Sequence, residues 1–342
     1  AKSMHDIDFT KNAPAIAYTG GTPWHGYGQV MLPDQTLADW IIAAGLDYKV
    51  LERPVGWIAP FIEGVKTTLE TLGKPAVYPK HVPIKGRKAL IRDDVNICLS
   101  IVSDRYKPIQ PKEIMQFFES LVKDEGFKMH TAGALMDGKR IWALAETGKE
   151  FALKGLDRIG AYLLLTTSYD GSSATTAQFT SIRVVCNNTL SFSLNRGENQ
   201  TEGIVRVPHT TEFISADVKG QLGLTEGWVQ FQDNVIQLAD YKVSKRQAIE
   251  FFLELMGVTE DEAAEGKQLQ NVKKLLSFYE SAPGSQYMSS KNTTWGLVNA
   301  VSYFTDHGRR AQNNGTRFNS AAFGDGARLK KQAFSKALKM AA

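Results

Sequence analysis

The sequence predicts an α+β fold: a mostly antiparallel sheet with a crossing helix in the middle of the chain, followed by a helical C-terminal third. Two patterns lead to it. Between residues 89 and 185, short apolar runs with turn residues between them are interrupted by one amphipathic stretch. After residue 210 the apolar positions recur at helical spacing instead.

The first 35 residues are punctuated by Pro14, Gly20, Gly21, Pro23, Gly26, Gly28 and Pro33 and carry little regular pattern. Residues 37–44 read as a short helix with Asp34 or Thr36 as N-cap. Residues 48–55 and 58–63 read as strands, and 73–86 as a connection. Residues 89–92 and 97–103 form a predicted hairpin. Pro111 opens a helix where proline is tolerated, Ile114, Phe117, Phe118, Leu121 and Val122 give it an apolar stripe, and Gly126 stops it. Residues 127–135 and 139–145 form a second hairpin around Met136, Asp137 and Gly138. Further strands are expected at 159–168 and 175–185, and helices at 228–238, 245–256, 268–279, 293–306 and 327–340. The organisation expected is an α+β sheet region with its N-terminal loop over 1–210, and a helical region with a basic tail over 211–342.

A chain of 342 residues can bury a large core, and 43% hydrophobic with 22% charged residues is an ordinary globular balance. No apolar run approaches the roughly 18–20 residues of a membrane span. The first eight residues hold no apolar signal-peptide core, so the host-cell cytoplasm is the expected location. Two cysteines, Cys98 and Cys186, supply neither a disulfide framework nor a zinc cluster. No phosphate loop, nucleophile elbow or dinucleotide fingerprint occurs, and no cofactor is expected. The net charge of +4 is unevenly spread. From His307 onward, eight Lys or Arg (Arg309, Arg310, Arg317, Arg328, Lys330, Lys331, Lys336, Lys339) face the single acid Asp325. That tail is +7, which leaves −3 for the preceding 306 residues. Such a tail is either a footprint for phosphate backbone or a solvated helix face.

Four segments combine apolar and polar residues in ways that could hold a ligand. Trp24, His25 and Tyr27 lie among glycines, either as a loop that stacks on a flat group or as a core plug. Asp170 and Gly171 follow an apolar run, which is a strong hairpin signal and also a strand-end position open to a general base. Arg183 sits among Ile182, Val184 and Val185, which lead into Cys186, Asn187, Asn188 and Thr189. Either an Asn-rich turn or a polar site follows from that pattern, and Cys186 reads as packing before it reads as a nucleophile. Asn299 lies in an apolar helix ending at Asp306 and His307, and a carboxylate there needs a partner: Arg309, Arg310 or another segment. Arg183, Asn187, Asn188 and Thr189 are expected to meet Asn299 or Asp306 in one polar network, because both segments would be costly to bury alone.

With these four segments in this order (residues 22–28, 169–172, 183–190 and 295–307), the chain resembles the phage/plasmid-like protein family, also described as domain of unknown function 932. The resemblance implies a mobile-element setting and no particular reaction. Helix-on-antiparallel-sheet architecture also resembles, at fold level, the core of ring-forming single-strand annealing proteins. The expectation is a nucleic-acid-binding or annealing protein of a phage or plasmid, acting on single-stranded DNA in recombination or replication, with homo-oligomers open and no membrane partner. Arg309, Arg310, Arg317, Arg328, Lys330 and Lys331 would touch phosphate. Two alternatives stand beside it: a metal-dependent enzyme acting on nucleic acid or nucleotide through Asp170, His25 or His307, and a phage structural or anti-host interaction protein. An annealing protein needs no catalytic carboxylates, whereas a nuclease needs acids converging on a metal.

Overall fold

Strands β7 (Arg140–Leu153) and β8 (Asp157–Ser168) are apolar on both faces, and the architecture is arranged around them. The computed structural model describes residues 7–20, 27–33, 35–58, 81–183, 188–191, 194–196, 200–202, 204–222, 226–259, 262, 269–311 and 314–342. On β7, Ile141, Ala143 and Ala145 point into the larger apolar cluster, while Trp142 and Leu144 point into a smaller one. Leu163 and Leu165 of β8 join the first, and Leu164 the second. Side chains alternate across a strand, so a run without polar interruptions is stable where both faces are covered.

The main sheet extends these two strands. Its order is β10 (Asn188–Ser191), β9 (Thr175–Arg183), β8, β7, β6 (Lys128–Leu135), β1 (Ile16–Tyr18) and β2 (Gln29–Val30), with β13 (Ile204–Val207) also paired to β9. All pairings are antiparallel except β1 with β2. A second sheet has β4 (His81–Arg92) between β3 (Val50–Ile58) and β5 (Ile97–Ser103). A short pair, β11 (Leu194–Arg196) and β12 (Gln200–Glu202), completes the strands described.

Helix α1 (Leu37–Ala43) is capped by Thr36, whose hydroxyl accepts from the Asp39 amide. Helix α2 (Pro111–Glu125) crosses the main sheet, burying Ile114, Met115, Phe117, Phe118 and Leu121, and it ends at Gly126 with φ 72°. A left-handed C-cap favours glycine. Past residue 210 come α3 (Ser215–Leu222), α4 (Glu226–Asp240), α5 (Lys245–Leu255), α6 (Leu269–Ser281) and α7 (Thr294–Tyr303). A π-helical turn, Phe304–Gly308, continues α7, and α8 (Asn314–Phe323) and α9 (Asp325–Ala341) follow. The larger cluster runs from Ala15 to Ala337, so the expected boundary at 210 marks a change of element type within one continuous core.

Two expectations are corrected. Residues 81–86 are not a connection but part of β4, because His81, Val82 and Pro83 pair with Ile58, Trp57 and Gly56. Helices α3 and α8 come in addition to the expected ones, since neither shows a clear apolar stripe in sequence. Of the strand expected over 58–63, residues 59–63 lie outside the described residues.

Buried polar groups tie these layers together. Arg92 is 0% exposed. Its guanidinium pairs with Asp8, donates from Nε to Asp94 Oδ1 at 2.7 Å and lies 4.1 Å from the centre of the Tyr48 ring. That joins the small sheet to the N-terminal segment. Asp157, also buried, accepts from Ser289 Oγ at 2.7 Å and Trp295 Nε1 at 3.2 Å, joining β8 to α7. Removing one partner of a buried ion pair leaves a charge that burial penalises, so Asp8→Ala should lower unfolding free energy by about 3–5 kcal/mol. Arg158→Ala, at the exposed pair with Glu150, should cost less than about 1 kcal/mol. Urea unfolding of both variants measures the difference.

Candidate functional site

The apolar run of β8 ends in a turn whose polar atoms are held from several sides. Tyr169 points inward, and its hydroxyl donates to the Ile109 carbonyl at 2.8 Å. Asp170 Oδ1 accepts from the Ser172 amide at 2.9 Å, and Gly171 has φ 74°, a conformation that suits glycine. The hairpin reading of this motif therefore holds. Arg140 Nη2 donates to Ser172 Oγ at 3.0 Å. His209 Nε2 donates to the Ser173 carbonyl at 2.9 Å, and its ring stacks on Tyr106 with centroids 4.3 Å apart. Burial pushes the Asp170 carboxyl up, but hydrogen bonds from Ser172 and Ser168 and the Arg140 charge outweigh it, so the group is held below its ordinary value. Burial lowers His209, against the opposing Ser173 bond and Asp170 charge. Beside this turn opens a cleft of about 570 Å³ lined by Lys88, Arg105, Tyr106, Lys107, Glu113 and His209.

Asp306 lies in the π-helical turn and is 4% exposed. Its partner is Lys330 of α9, with Nζ 2.8 Å from Oδ1, and not Arg309 or Arg310. Thr305 Oγ1 donates to the Ser302 carbonyl, and Asn299 Nδ2 to the Trp295 carbonyl at 2.8 Å, one turn earlier in its own helix. His307 packs against Tyr303 with centroids 4.6 Å apart. Gly308 is needed for close approach, since a Cβ there would meet the Phe278 ring at 2.3 Å. Strand β10, which begins with Asn188 and Thr189, lies against α7 and α9. The two segments expected to meet are therefore neighbours. The side chains of Arg183, Asn188 and Thr189, and all of Asn187, Trp24 and His25, lie outside the described residues.

The second face of the main sheet borders both groups. Here Ile16, Leu135, Trp142, Leu164 and Ile182 pack with Tyr27 and with Phe323 of α8. Tyr27 meets Phe9 edge-on at 5.6 Å. The Arg140 guanidinium is 5.4 Å from the Phe323 ring, and α8 also packs on the π-helical turn. Helix α8 thus stands between the Asp170 turn and the Asp306–Lys330 pair. Farther along this face, His130 meets Tyr162 at 5.1 Å, and burial lowers its pKa. Among the described residues, no three His, Cys, Asp or Glu side chains gather as a metal ion would need.

The basic tail divides into inward and outward groups. Lys330, expected at phosphate, is 3% exposed and occupied by Asp306, because the apolar seam of α9 turns that position inward. Lys336 pairs with Glu254, and Arg317 Nε donates to the Arg309 carbonyl at 3.1 Å. Arg310, Arg328, Lys331 and Lys339 are exposed, and Arg328 pairs with Asp325. Positions 328, 331 and 339 share one face of α9. Reading the sequence did not single out Arg140 or His209. Arg140 sits at the start of a strand and His209 sits alone, so neither offered a motif.

The family described as Domain of unknown function (DUF932) matches residues 98–328, about two thirds of the sequence, and the chain belongs to that family. No curated protein matches the chain, and no solved structure does.

Lys330→Met should leave Asp306 buried without its cation and destabilise the fold by about 3–5 kcal/mol. Adding Asp306→Leu should restore most of that loss, a coupling that a double-mutant cycle in urea reads directly. His130 gives a pH signature. Its folded pKa is depressed, so its share of stability is present above the unfolded value of about 6.5 and is lost as pH falls through the folded value. His130→Gln should flatten the stability curve just below pH 6.5 or so, measured by thermal melts across pH.

Proposed function

We propose that this chain binds single-stranded nucleic acid, with single-stranded DNA as the expected form, and serves a phage or plasmid in recombination or replication. The observation that carries the reading is the solvent face of α9, where Arg328, Lys331 and Lys339 stand exposed along one side. Asp325 is the helix's sole acid, and its exposed pairing with Arg328 is weak enough for phosphate to displace. A helix of 17 residues spans about 25 Å at 1.5 Å per residue, room for several phosphates. The buried Lys330 anchors the opposite side of the same helix, so the cationic face is presented by a fixed element.

One observation favours a second reading, an enzyme acting on nucleic acid or nucleotide: the cleft that places the His209 imidazole beside Tyr106, Arg105 and Lys107. Incubating labelled single- and double-stranded oligonucleotides with the protein, with and without magnesium, separates the two, because binding shifts the probe and catalysis shortens it.

For the binding reading, each phosphate contact to a single strand contributes about −0.7 to the slope of log K against log salt. Replacing Arg328, Lys331 and Lys339 by glutamine should flatten that slope by about 2 units and weaken all sequences alike. Fluorescence anisotropy at several salt concentrations measures it. Absence of wild-type binding at low salt would overturn the proposal.

A further inference from the structure

The small sheet narrows at one end to a ribbon of two strands among the described residues. Strand β5 pairs with β4 as far as Arg87, where Ser103 is the last partner. Beyond that point, among the described residues, β4 pairs with β3 alone, with Gly56, Trp57 and Ile58 opposite Pro83, Val82 and His81. The register shifts between Pro54 and Gly56, and Gly86 has φ 74°, so the ladder is irregular where β5 ends. Trp57 is 50% exposed and Ile58 66%. Two-stranded ribbons are marginal by themselves, and an exposed indole on one offers a flat face for a ligand to stack on.

The ribbon's charge says which ligand. Across 50–58 and 81–92 the one acid is Glu52, which Lys88 already holds at 2.8 Å. Arg53, Lys85 and Arg87 are exposed, and none is in an ion pair with a described residue. We propose that the β3–β4 ribbon grips a single-stranded nucleic acid, with Arg53, Lys85 and Arg87 on phosphates and the Trp57 indole stacked on a base. The inference rests on the binding reading above and assigns it a second surface, separate from α9.

Other occupants fit the ribbon less well. A bilayer needs one apolar side, but Trp57 and Ile58 are successive residues and point to opposite faces. An added peptide strand needs free amides along an edge; Pro54 and the register shift interrupt β3, and Pro83 removes a donor from the part of β4 beyond β5. A single strand asks only for cations and an aromatic face. Gly56 shapes the site, since a Cβ there would meet the His81 ring at 2.4 Å.

The test uses the full chain and a fluorescein-labelled thymidine 30-mer, read by anisotropy across salt, with a duplex of equal length and vesicles of phosphatidylcholine and phosphatidylserine as further probes. Trp57→Ala should weaken 30-mer binding by about 5- to 150-fold, the range of one lost base stack, while Trp57→Phe retains most of it. The triple change of Arg53, Lys85 and Arg87 to glutamine should flatten the salt slope by about 2 units. Melting temperatures should stay near wild type, because all four side chains are exposed. If the wild type binds and both ribbon variants match it, the ribbon inference fails while the α9 reading survives. Failure of the wild type to bind at low salt overturns both. Vesicle binding that Trp57→Ala abolishes, with 30-mer binding untouched, would assign the ribbon to a lipid surface and overturn the inference.

Discussion

Everything in this fold follows from two central strands that are apolar on both sides. A sheet with one dry face can leave the other to water, but β7 and β8 cannot. Ile141, Ala143, Leu163 and Leu165 require a layer on one side, and Trp142, Leu144 and Leu164 require one on the other. The crossing helix α2 and the C-terminal helices supply the first. The N-terminal segment, through Ile7, Phe9 and Tyr27, and Phe323 of α8 supply the second. The chain's two ends are thus drawn to the same sheet, which is why segments far apart in sequence come to border one another around α8.

Apolar packing alone is nondirectional, and layers joined only by it could slide. Polar groups buried in the seams give them register. Arg92 with Asp8 and Asp94 fixes the small sheet, Asp157 with Ser289 and Trp295 fixes α7 on β8, and Lys330 with Asp306 fixes α9 on the π-helical turn. Each costs desolvation, and each is worth keeping chiefly for the arrangement it specifies. The π-helical turn fits this account. One wide turn places Asp306 inward at the end of a helix, a position where its dipole disfavours a carboxylate, and Lys330 offsets that.

Much of this was legible in the sequence, and the parts that were not share a cause. The hairpins, the crossing helix with its glycine stop and the long C-terminal helices are set by local spacing and turn chemistry, so Asp137, Gly138 and Gly126 announced them. The need of Asp306 for a partner was also legible from its place at a helix end. The identity of the partner was not, because Lys330 lies 24 residues away and stands among lysines that look alike in one dimension. His81 to Gly86 looked like a connection because Pro83 and Gly86 are turn residues. They are strand residues here because β3 offers a partner across a bulge, a fact of tertiary pairing. Arg140 and His209 gave no signal for the same reason: each gains its significance from the Asp170 turn, and that meeting is made only by folding.

The distribution of cations carries the argument one step further. As a count along the chain, the tail dominates, and it drew attention to Lys330 and Lys331 equally. In space the two separate, since adjacent residues on a helix point about 100° apart and one of them falls in the seam. What distinguishes a cation available for a polyanion is not its neighbourhood in sequence but whether the fold has already given it a carboxylate. By that criterion Lys330 and Arg92 belong to the architecture, while Arg53, Lys85, Arg87, Arg310, Lys331 and Lys339 are exposed with no ion pair among the described residues. Of these, Arg53, Lys85 and Arg87 lie on the β3–β4 ribbon and Lys331 and Lys339 along one face of α9, a helix whose other side is anchored by the Lys330–Asp306 pair.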